Sequence, residues 1–361
     1  MKYDAAVIGA GPVGSIAAEK GVKSLEVALI GGGVRRVQCA GLVSKSGLER
    51  LGINDNSFVL NRIRGARFYS PSGALFEVDG GRTMAYAVDR ILFDEHLLEQ
   101  ALDAGVRYIE DRVVDANNAV KLNSGREIHA ERIVLATGTD YTLHGKLNLD
   151  KPREFLIGMQ YELGVEADDD FVELYFTIPD FFAWIIPLGD RARVGLCTKS
   201  NPRPHMEAFL KRLRREGRVK SDRILTENYG IIPVYNPSLR TQYDGVVMVG
   251  DAAGQVKAST GGGIVLGGVS AGFAFDLDYE RVWRRVVGRE LLMHLYIHRF
   301  LSGLSPRNID RLFGMLNMVR GNFERQGDMD SAFKVFECML RNPVFMLKFL
   351  ANTPLFLADM I

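Results

Sequence analysis

The chain has 361 residues, 47% of them hydrophobic, which is enough to bury at least one large core and to build a cofactor-binding half interleaved with a substrate-binding half. Its 45 Lys and Arg residues nearly cancel 44 Asp and Glu, so no overall field favours nucleic acid and any basic patch has to be local. Three cysteines, Cys39, Cys197 and Cys338, are odd in number, widely separated and without a C-x-x-C pair, which argues against a disulfide framework or a zinc site and for a reducing cytosolic compartment.

The N-terminus, MKYDAAVIGAG, enters a strand directly, without the basic leader of an export signal. Residues 3–8 read as a buried strand, residues 12 to about 24 as a helix of small side chains, and residues 27–30 as a second strand, together a βαβ unit that opens a doubly wound sheet. A helix over 90–104, a strand over 107–109, a turn at 123–125 and a buried strand over 132–136 return the chain to that sheet. From about 155 to 234 the pattern alternates, with strands at 156–163, 171–176, 183–186 and 192–198 and one helix at 204–216, which predicts an antiparallel sheet in a second lobe. A strand at 246–249 and a helix at 263–275 follow, and the remainder reads as mostly helical. The apolar run 343–357, interrupted by Lys348, is too short to span a bilayer and leaves only a peripheral membrane contact open.

Two glycine-rich turns carry the chemistry. Gly9-Ala10-Gly11-Pro12-Val13-Gly14 is a complete G-x-G-x-x-G between a strand and a helix, the setting in which helix-start N–H groups face a pyrophosphate. The acid that usually ends the second strand and holds the ribose is missing, since Ile30 runs into Gly31-Gly32-Gly33. Arg35 and Arg36 either pair with phosphate or stack on adenine in compensation, or are simply solvated. The second turn comprises Gly250-Asp251-Ala252-Ala253 after a strand, then Gly261-Gly262-Gly263-Ile264 at the head of a helix. One carboxylate is thereby set against a sugar-alcohol chain, and helix-start N–H groups against a ring carbonyl that gains negative charge on reduction. A plain nicotinamide dehydrogenase has no use for this pair, whereas a flavin does.

In the order Gly9 to Gly14, Asp89-Arg90-Ile91-Leu92-Phe93-Asp94, Ala136-Thr137-Gly138, Gly250 to Ala253 and Thr260 to Ile264, the motifs resemble those of the flavoproteins related to para-hydroxybenzoate hydroxylase. Within that superfamily the chain most resembles the archaeal geranylgeranyl reductases. Gln38-Cys39-Ala40-Gly41-Leu42 is similar to their Cys-Gly-x-Gly-Leu segment, and Pro179-Asp180-Phe181-Phe182-Ala183-Trp184-Ile185-Ile186-Pro187 to their P-x-x-Y-x-W-x-F-P signature, with Phe182 for Tyr and Ile186 for Phe. The resemblance implies an α/β fold with a Rossmann-like FAD-binding domain of the glutathione-reductase type, an antiparallel-sheet substrate domain and a helical C-terminal region. The expected FAD-binding domain is discontinuous (1–65, 85–150 and 240–285), the substrate domain covers 66–84 and 151–239, and the helical region 286–361.

The same resemblance implies that Arg90 and the backbone near Val114 touch FAD. It implies that Gly250, Asp251, Gly263 and Ile264 hold its ribityl and ring portions, and that Cys39, Ala40 and Gly41 lie near the isoalloxazine. Phe182 and Trp184 would line a substrate channel, and an apolar aromatic wall suits a long hydrocarbon. Cys39 either shields the flavin, protonates the substrate or merely packs. The basic stretch Lys211, Arg212, Arg214, Arg215, Arg218 and Lys220 is either a solvated face or a contact for anionic lipid.

The expected activity is saturation of double bonds in isoprenoid chains by hydride from reduced FAD. The electron donor is left open among ferredoxin, deazaflavin and NAD(P)H, and no metal is expected. Rival readings are an NAD(P)H-dependent aromatic hydroxylase, disfavoured because its relatives share a D-G motif where this chain has Thr137-Gly138, and a non-catalytic flavin or prenyl-lipid binding protein.

Overall fold

Strand pairing in the computed structural model, which describes residues 1–32 and 38–360 and all of their side chains except that of Cys338, builds three sheets. Arg35 and Arg36 therefore lie outside the described residues, as does Gly33. The chain divides into two compact units, each assembled from three segments: 1–37, 90–155 and 232–292 in the first, and 38–89, 156–231 and 293–361 in the second.

The first unit holds an eight-stranded sheet. Its main path runs Gln242–Tyr243, Val246–Met248, Glu127–Leu135, Lys2–Ile8, Val27–Gly31 and Arg107–Glu110. From Val246–Met248 onward the neighbours are parallel, with Val7 opposite both Val134 and Leu29. Strands in such a sheet are covered on both faces, so they read as apolar runs rather than alternations. Ala5, Ala6, Val7, Ala28 and Leu29 are fully buried. A hairpin turn at Gly125 (φ +85°) joins Val120–Leu122 to the antiparallel start of Glu127–Leu135. The helix Pro12–Gly21 starts where Pro12 supplies the φ of a first helical turn without losing an N–H that a helix would use. The helix expected over 263–275 spans only Ile264–Ala271. Gly267, Gly268 and Gly272 give it little intrinsic propensity, and the chain leaves it through successive turns at Phe273 and Ala274.

The second unit holds a seven-stranded sheet ordered Val219–Pro233, Phe155–Val165, Ala192–Thr198, Ala183–Pro187, Phe171–Tyr175, Gly65–Tyr69 and Leu75–Asp79. It is mixed rather than antiparallel throughout, because Phe171–Tyr175 runs parallel to Gly65–Tyr69, a strand from a distant segment. A small sheet of Leu42–Ser44, Ala85–Val88 and Val59–Ile63 accompanies it. The antiparallel ladders on Ala85–Val88 tie 38–63 to this unit, whereas the sequence had suggested the cofactor half for them. The C-terminal helices do not stand apart as a third region either. Pro306–Leu316 and Pro343–Ala358 bury Phe313, Phe345 and Phe356 in one cluster with Phe76 of the sheet.

Lys211, Arg214, Arg215 and Lys220 of the basic stretch are exposed, in keeping with the solvated-face reading, and three of its arginines find partners within the chain. Arg218 donates to Glu173 Oε1 at 2.7 Å and to the Tyr175 hydroxyl at 2.7 Å, Arg212 pairs with Glu216 at 2.7 Å, and Arg214 with Asp222 at 2.8 Å. Glu173 is buried, so Arg218 neutralises a carboxylate that would otherwise be costly in the core. Arg218 and Lys220 also lie beyond the helix, which spans Arg203–Arg215. No helix among the described residues is long and apolar enough to cross a membrane.

Candidate functional site

In the first unit, the turn after Lys2–Ile8 is built on close backbone approach. Gly9 has φ +109°, and a methyl there would stand 2.2 Å from the Ala136 carbonyl oxygen. A methyl on Gly14 would stand 1.8 Å from the Gly9 carbonyl oxygen. Only glycine fits either place, so the helix start can lie against the strand ends with its first N–H groups directed outward. Gly138, at φ +61°, has nothing within 4 Å of its missing side chain and so borders open space beside this turn. Thr137 Oγ1 donates to the Asp140 carbonyl at 2.8 Å, which shapes the Ala136-Thr137-Gly138 bend.

The two glycine turns touch. A methyl on Gly250 (φ +64°) would meet Val13 Cγ1 at 3.1 Å, and one on Gly267 would meet both Gly250 Cα at 3.0 Å and Val13 Cγ2 at 3.2 Å. Val13 thus packs between the strand end that leads into Asp251 and the helix that follows Gly263. The Asp251 carboxylate lies against Gly263, where a Cβ would stand 2.6 Å from Oδ1. Part of Asp251 remains open to solvent, yet the surrounding protein pushes its carboxyl up, while the Arg90 guanidinium pulls in the opposite direction. Arg90 itself forks onto Asp94 with 3.0 and 3.2 Å hydrogen bonds.

The Gly250–Ala253 turn is held by side chains that the sequence did not single out. Gly250 N–H donates to Gln255 Oε1 at 2.8 Å, Gln255 Nε2 to the Tyr279 hydroxyl at 2.9 Å, and that hydroxyl to the Met248 carbonyl at 2.7 Å. Tyr141 donates to the Asp251 carbonyl at 3.1 Å. His144 is fully buried with Nε2 2.9 Å from the Ala252 carbonyl, and burial lowers its pKa, so the neutral ring donates from Nε2. Every one of these bonds ends on a main-chain group of the turn or on a residue that grips it, which fixes the loop in place.

Val114 sits in the short strand Val113–Asp115, and its carbonyl accepts from Lys146 Nζ at 2.5 Å. At the end of Val27–Gly31, the Gly31 carbonyl accepts from the Tyr108 hydroxyl at 3.0 Å and from Asp111 N–H at 3.1 Å. A cavity of about 610 Å³ lined by Glu131, Arg132, Arg240, Tyr243, Asp278 and Glu280 opens at the other end of the parallel strands, where they begin. Ligands of open α/β sheets bind outside the carboxyl ends of the strands, so the glycine turns and not this cavity form the candidate site.

The second unit contains the aromatic segment. Phe181 and Phe182 stack at 4.1 Å, Phe182 meets Trp184 edge-on at 6.2 Å, and Phe176 reaches both Phe182 (5.6 Å) and Phe313 (5.3 Å). The indole lies flat on Gly195, where a methyl would stand 2.3 Å from the ring, and donates from Nε1 to the buried Gln160 at 3.0 Å. Asp180 turns the chain into this segment at φ +68° and accepts from Lys199 N–H at 3.3 Å. In the same unit Arg193 donates from Nη1 to the carbonyls of Ala40 (2.9 Å) and Val88 (3.0 Å). It thereby holds the Cys39-Ala40-Gly41 bend, where Gly41 (φ +66°) leaves no room for a side chain and donates to Cys39 Sγ at 3.4 Å. No cluster of metal-ligating side chains occurs among the described residues.

A parallel sheet whose first βα turn is stripped to glycine, joined to a second glycine turn bearing an acid, defines an FAD-binding oxidoreductase fold. Solved structures share the fold: a geranylgeranyl bacteriochlorophyll reductase-like protein from Thermoplasma acidophilum superposes with a TM-score of 0.83 at 22% identity, over 97% of this chain and 99% of that one. A flavoprotein/dehydrogenase from Cytophaga hutchinsonii does so with a TM-score of 0.67 at 18% identity, over 98% and 100%. The digeranylgeranylglycerophospholipid reductase of Methanothrix thermoacetophila is 32% identical over 360 aligned positions, which cover 86% of this chain and 90% of the relative. The chain belongs to this geranylgeranyl reductase family, and the family model described as lycopene cyclase protein matches residues 4–274.

Proposed function

We propose that the protein is an FAD-dependent reductase that saturates double bonds in the isoprenoid chains of glycerolipids or related prenyl compounds. The observation that carries this reading is the kinship with the Methanothrix thermoacetophila reductase across 90% of that enzyme's length. Two features of the chain support it: glycine turns that meet at Val13, and an apolar aromatic segment around Phe182 and Trp184 suited to a hydrocarbon.

When bound, FAD supplies the hydride that one carbon of the double bond accepts. The chain's own part is to hold and desolvate. Gly11 and Gly14 offer backbone N–H groups to the diphosphate, Gly9, whose N–H is held by the Ile30 carbonyl at 2.8 Å, and Ala10 form the turn that leads to them, and Ala136, Thr137 and Gly138 close the same turn. Asp251 accepts from ribityl hydroxyls, Arg90 tempers its charge, and Gly263 and Ile264 present helix-start N–H groups to the ring carbonyl, while Gly261 and Gly262, whose N–H groups bond to the Lys257 carbonyl and Thr260 Oγ1, shape the loop that leads there. Phe182 and Trp184 exclude water from the chain being reduced. A peripheral membrane contact would serve a lipid substrate, and the electron donor comes from among ferredoxin, deazaflavin and NAD(P)H.

The test is anaerobic. The purified yellow protein is reduced chemically and mixed with a geranylgeranylated glycerolipid, and flavin reoxidation is followed alongside the mass of the lipid. Reoxidation matched by a gain of two hydrogens per double bond is expected. Reoxidation without any gain in mass refutes the reading.

A further inference from the structure

The helix Pro343–Ala358 of the second unit has an outer side that the described residues leave bare. Its inner side buries Phe345 and Phe356 and half-buries Phe349, and the rings of Phe349 and Phe356 pack on Phe300 at 6.1 and 5.7 Å. A surface helix normally turns polar residues the other way. Here the outer side is apolar as well: Leu347 is 69% exposed, Leu350 60%, Val344 54% and Leu357 53%. Leucines this bare, adjoining along one helix, mark a surface that meets another apolar phase.

Three features say what that phase is. Lys348 is the only charged residue of Pro343–Ala358; it is exposed, and its ammonium has no hydrogen-bond or ion-pair partner among the described residues. The next acid, Asp359, is turned inward, where it accepts from Ser305 N–H at 2.7 Å and Asn308 Nδ2 at 2.6 Å. An apolar face with a lone cation and no acid complements an anionic lipid surface, in which leucines enter the acyl boundary and an ammonium stays among the headgroups. Pro354, also exposed, has no N–H to give to the Leu350 carbonyl, so the bare side carries a polar group without its usual helix donor. A dry contact with a second copy would bury that carbonyl at a cost, whereas the hydrated headgroup layer would not. Finally, the inner side belongs to one apolar cluster with Phe313 and Phe176, and Phe176 lies 5.6 Å from Phe182 of the aromatic segment. Sixteen residues rise about 24 Å, short of the roughly 30 Å hydrocarbon core, so the helix lies along a bilayer and does not cross it.

We propose that Pro343–Ala358 is an interfacial membrane anchor that seats the second unit on an anionic lipid bilayer. Val344, Leu347, Leu350 and Leu357 enter the acyl boundary, and Lys348 meets the headgroup phosphates. The proposal rests on the reading of the substrate as a glycerolipid, since it brings the unit that carries Phe182 and Trp184 to the layer in which such a lipid resides.

The test uses the full-length, FAD-loaded protein in a flotation assay with vesicles of phosphatidylcholine alone and of equal parts phosphatidylcholine and phosphatidylglycerol. The parent is expected to float with the anionic vesicles and more weakly with the neutral ones. Lys348→Gln should lower affinity for the anionic vesicles about fivefold, as loss of one surface cation does, and leave affinity for the neutral ones unchanged. Leu347→Gln combined with Leu350→Gln should weaken binding to both about tenfold or more, without altering reduction of a detergent-dispersed lipid. Leu347→Trp should show emission that shifts to the blue on the vesicles and is quenched by brominated acyl chains. A parent that floats with neither vesicle, or a double variant that floats as the parent does, overturns the proposal. So does a parent dimer that the double variant splits while vesicle binding persists, which gives the face to a second copy. Should the double variant fail to fold, unquenched emission from Leu347→Trp overturns it instead. Flotation needs no turnover, and a parent that cannot reduce a detergent-dispersed geranylgeranylated glycerolipid refutes the proposed function itself, so the two failures are distinct.

Discussion

Replacing Gly14 by alanine tests the backbone approach on which the first turn depends. The added methyl would stand 1.8 Å from the Gly9 carbonyl oxygen and 3.1 Å from Ala136 Cβ. A carbon–oxygen contact needs about 3.3 Å, so either the helix Pro12–Gly21 or the Gly9 turn must retreat by about 1.5 Å. The Gly9 oxygen belongs to the backbone and the Ala136 methyl has no rotamer to change, so no side-chain rotation relieves the clash, and the cost falls at the upper end of overpacking, about 3 kcal/mol. Thermal denaturation of the FAD-free protein should then show a midpoint lower by about 4 °C, the shift that 3 kcal/mol gives in a chain of 361 residues. FAD titration followed by flavin fluorescence should show affinity reduced at least tenfold, because the retreat displaces the N–H groups that face the diphosphate. The matched control is Gly145→Ala in the helix Thr142–Lys146, where a methyl meets nothing within 4 Å and φ is not positive. That variant should be unchanged or stabilised by about 0.5–1 kcal/mol. A Gly14→Ala protein that melts with the parent and binds FAD equally well would refute the reasoning.

His144 predicts an acid sensitivity of the second turn. Burial lowers its pKa in the folded state, so the unfolded chain binds the proton more readily, and the stability that His144 contributes is complete above the unfolded value of about 6.5 and is lost as the pH falls below it. Urea unfolding between about pH 5 and 7.5 should show this decline in the parent and a smaller one in His144→Gln; equal declines would remove His144 from the account. Trp184→Phe leaves Gln160 Oε1 buried without its indole donor and should cost about 1–3 kcal/mol, largely recovered when Gln160→Leu is added. Strict additivity in that double-mutant cycle would show that the bond does not matter. Arg193→Met releases the carbonyls of Ala40 and Val88, and the modification rate of Cys39 by a thiol reagent, resolved by peptide mass, should rise several-fold; an unchanged rate would mean the bend holds without Arg193.

What the sequence conveyed most clearly was what depends on near neighbours. The opening βαβ unit follows from a buried apolar run, a glycine turn and Pro12, all within the first 31 residues, and the strand limits there agree to within a residue or so. Strands 183–186 and 192–198 were legible from their uniformly buried residues. The parallel pairing of Phe171–Tyr175 with Gly65–Tyr69 was not, because register between strands a hundred residues apart leaves no local signature. The helix after Gly263 looked longer than it is, since small residues suit both helix and turn. The glycines of the site announced themselves by their spacing, but its supports did not. His144 and Tyr141 reach the second turn from about 110 residues away, and a lone histidine or tyrosine in sequence does not reveal which carbonyl it will hold. The partner of Arg218 was hidden for a related reason, as Glu173, the acid it neutralises, lies 45 residues upstream.

The alternation of segments between the two units has a consequence for how the chain matures on the ribosome. The strand Glu127–Leu135 emerges long before Val246–Met248, the neighbour that covers its far edge. Until then a buried, β-prone edge stands bare, a ready template for mispairing with another nascent chain. Neither unit can be expressed as a contiguous fragment, and a stop codon anywhere before residue 292 truncates both at once. High yields of native protein should therefore depend on slow translation or on a holdase that shields that edge until residue 248 has been made.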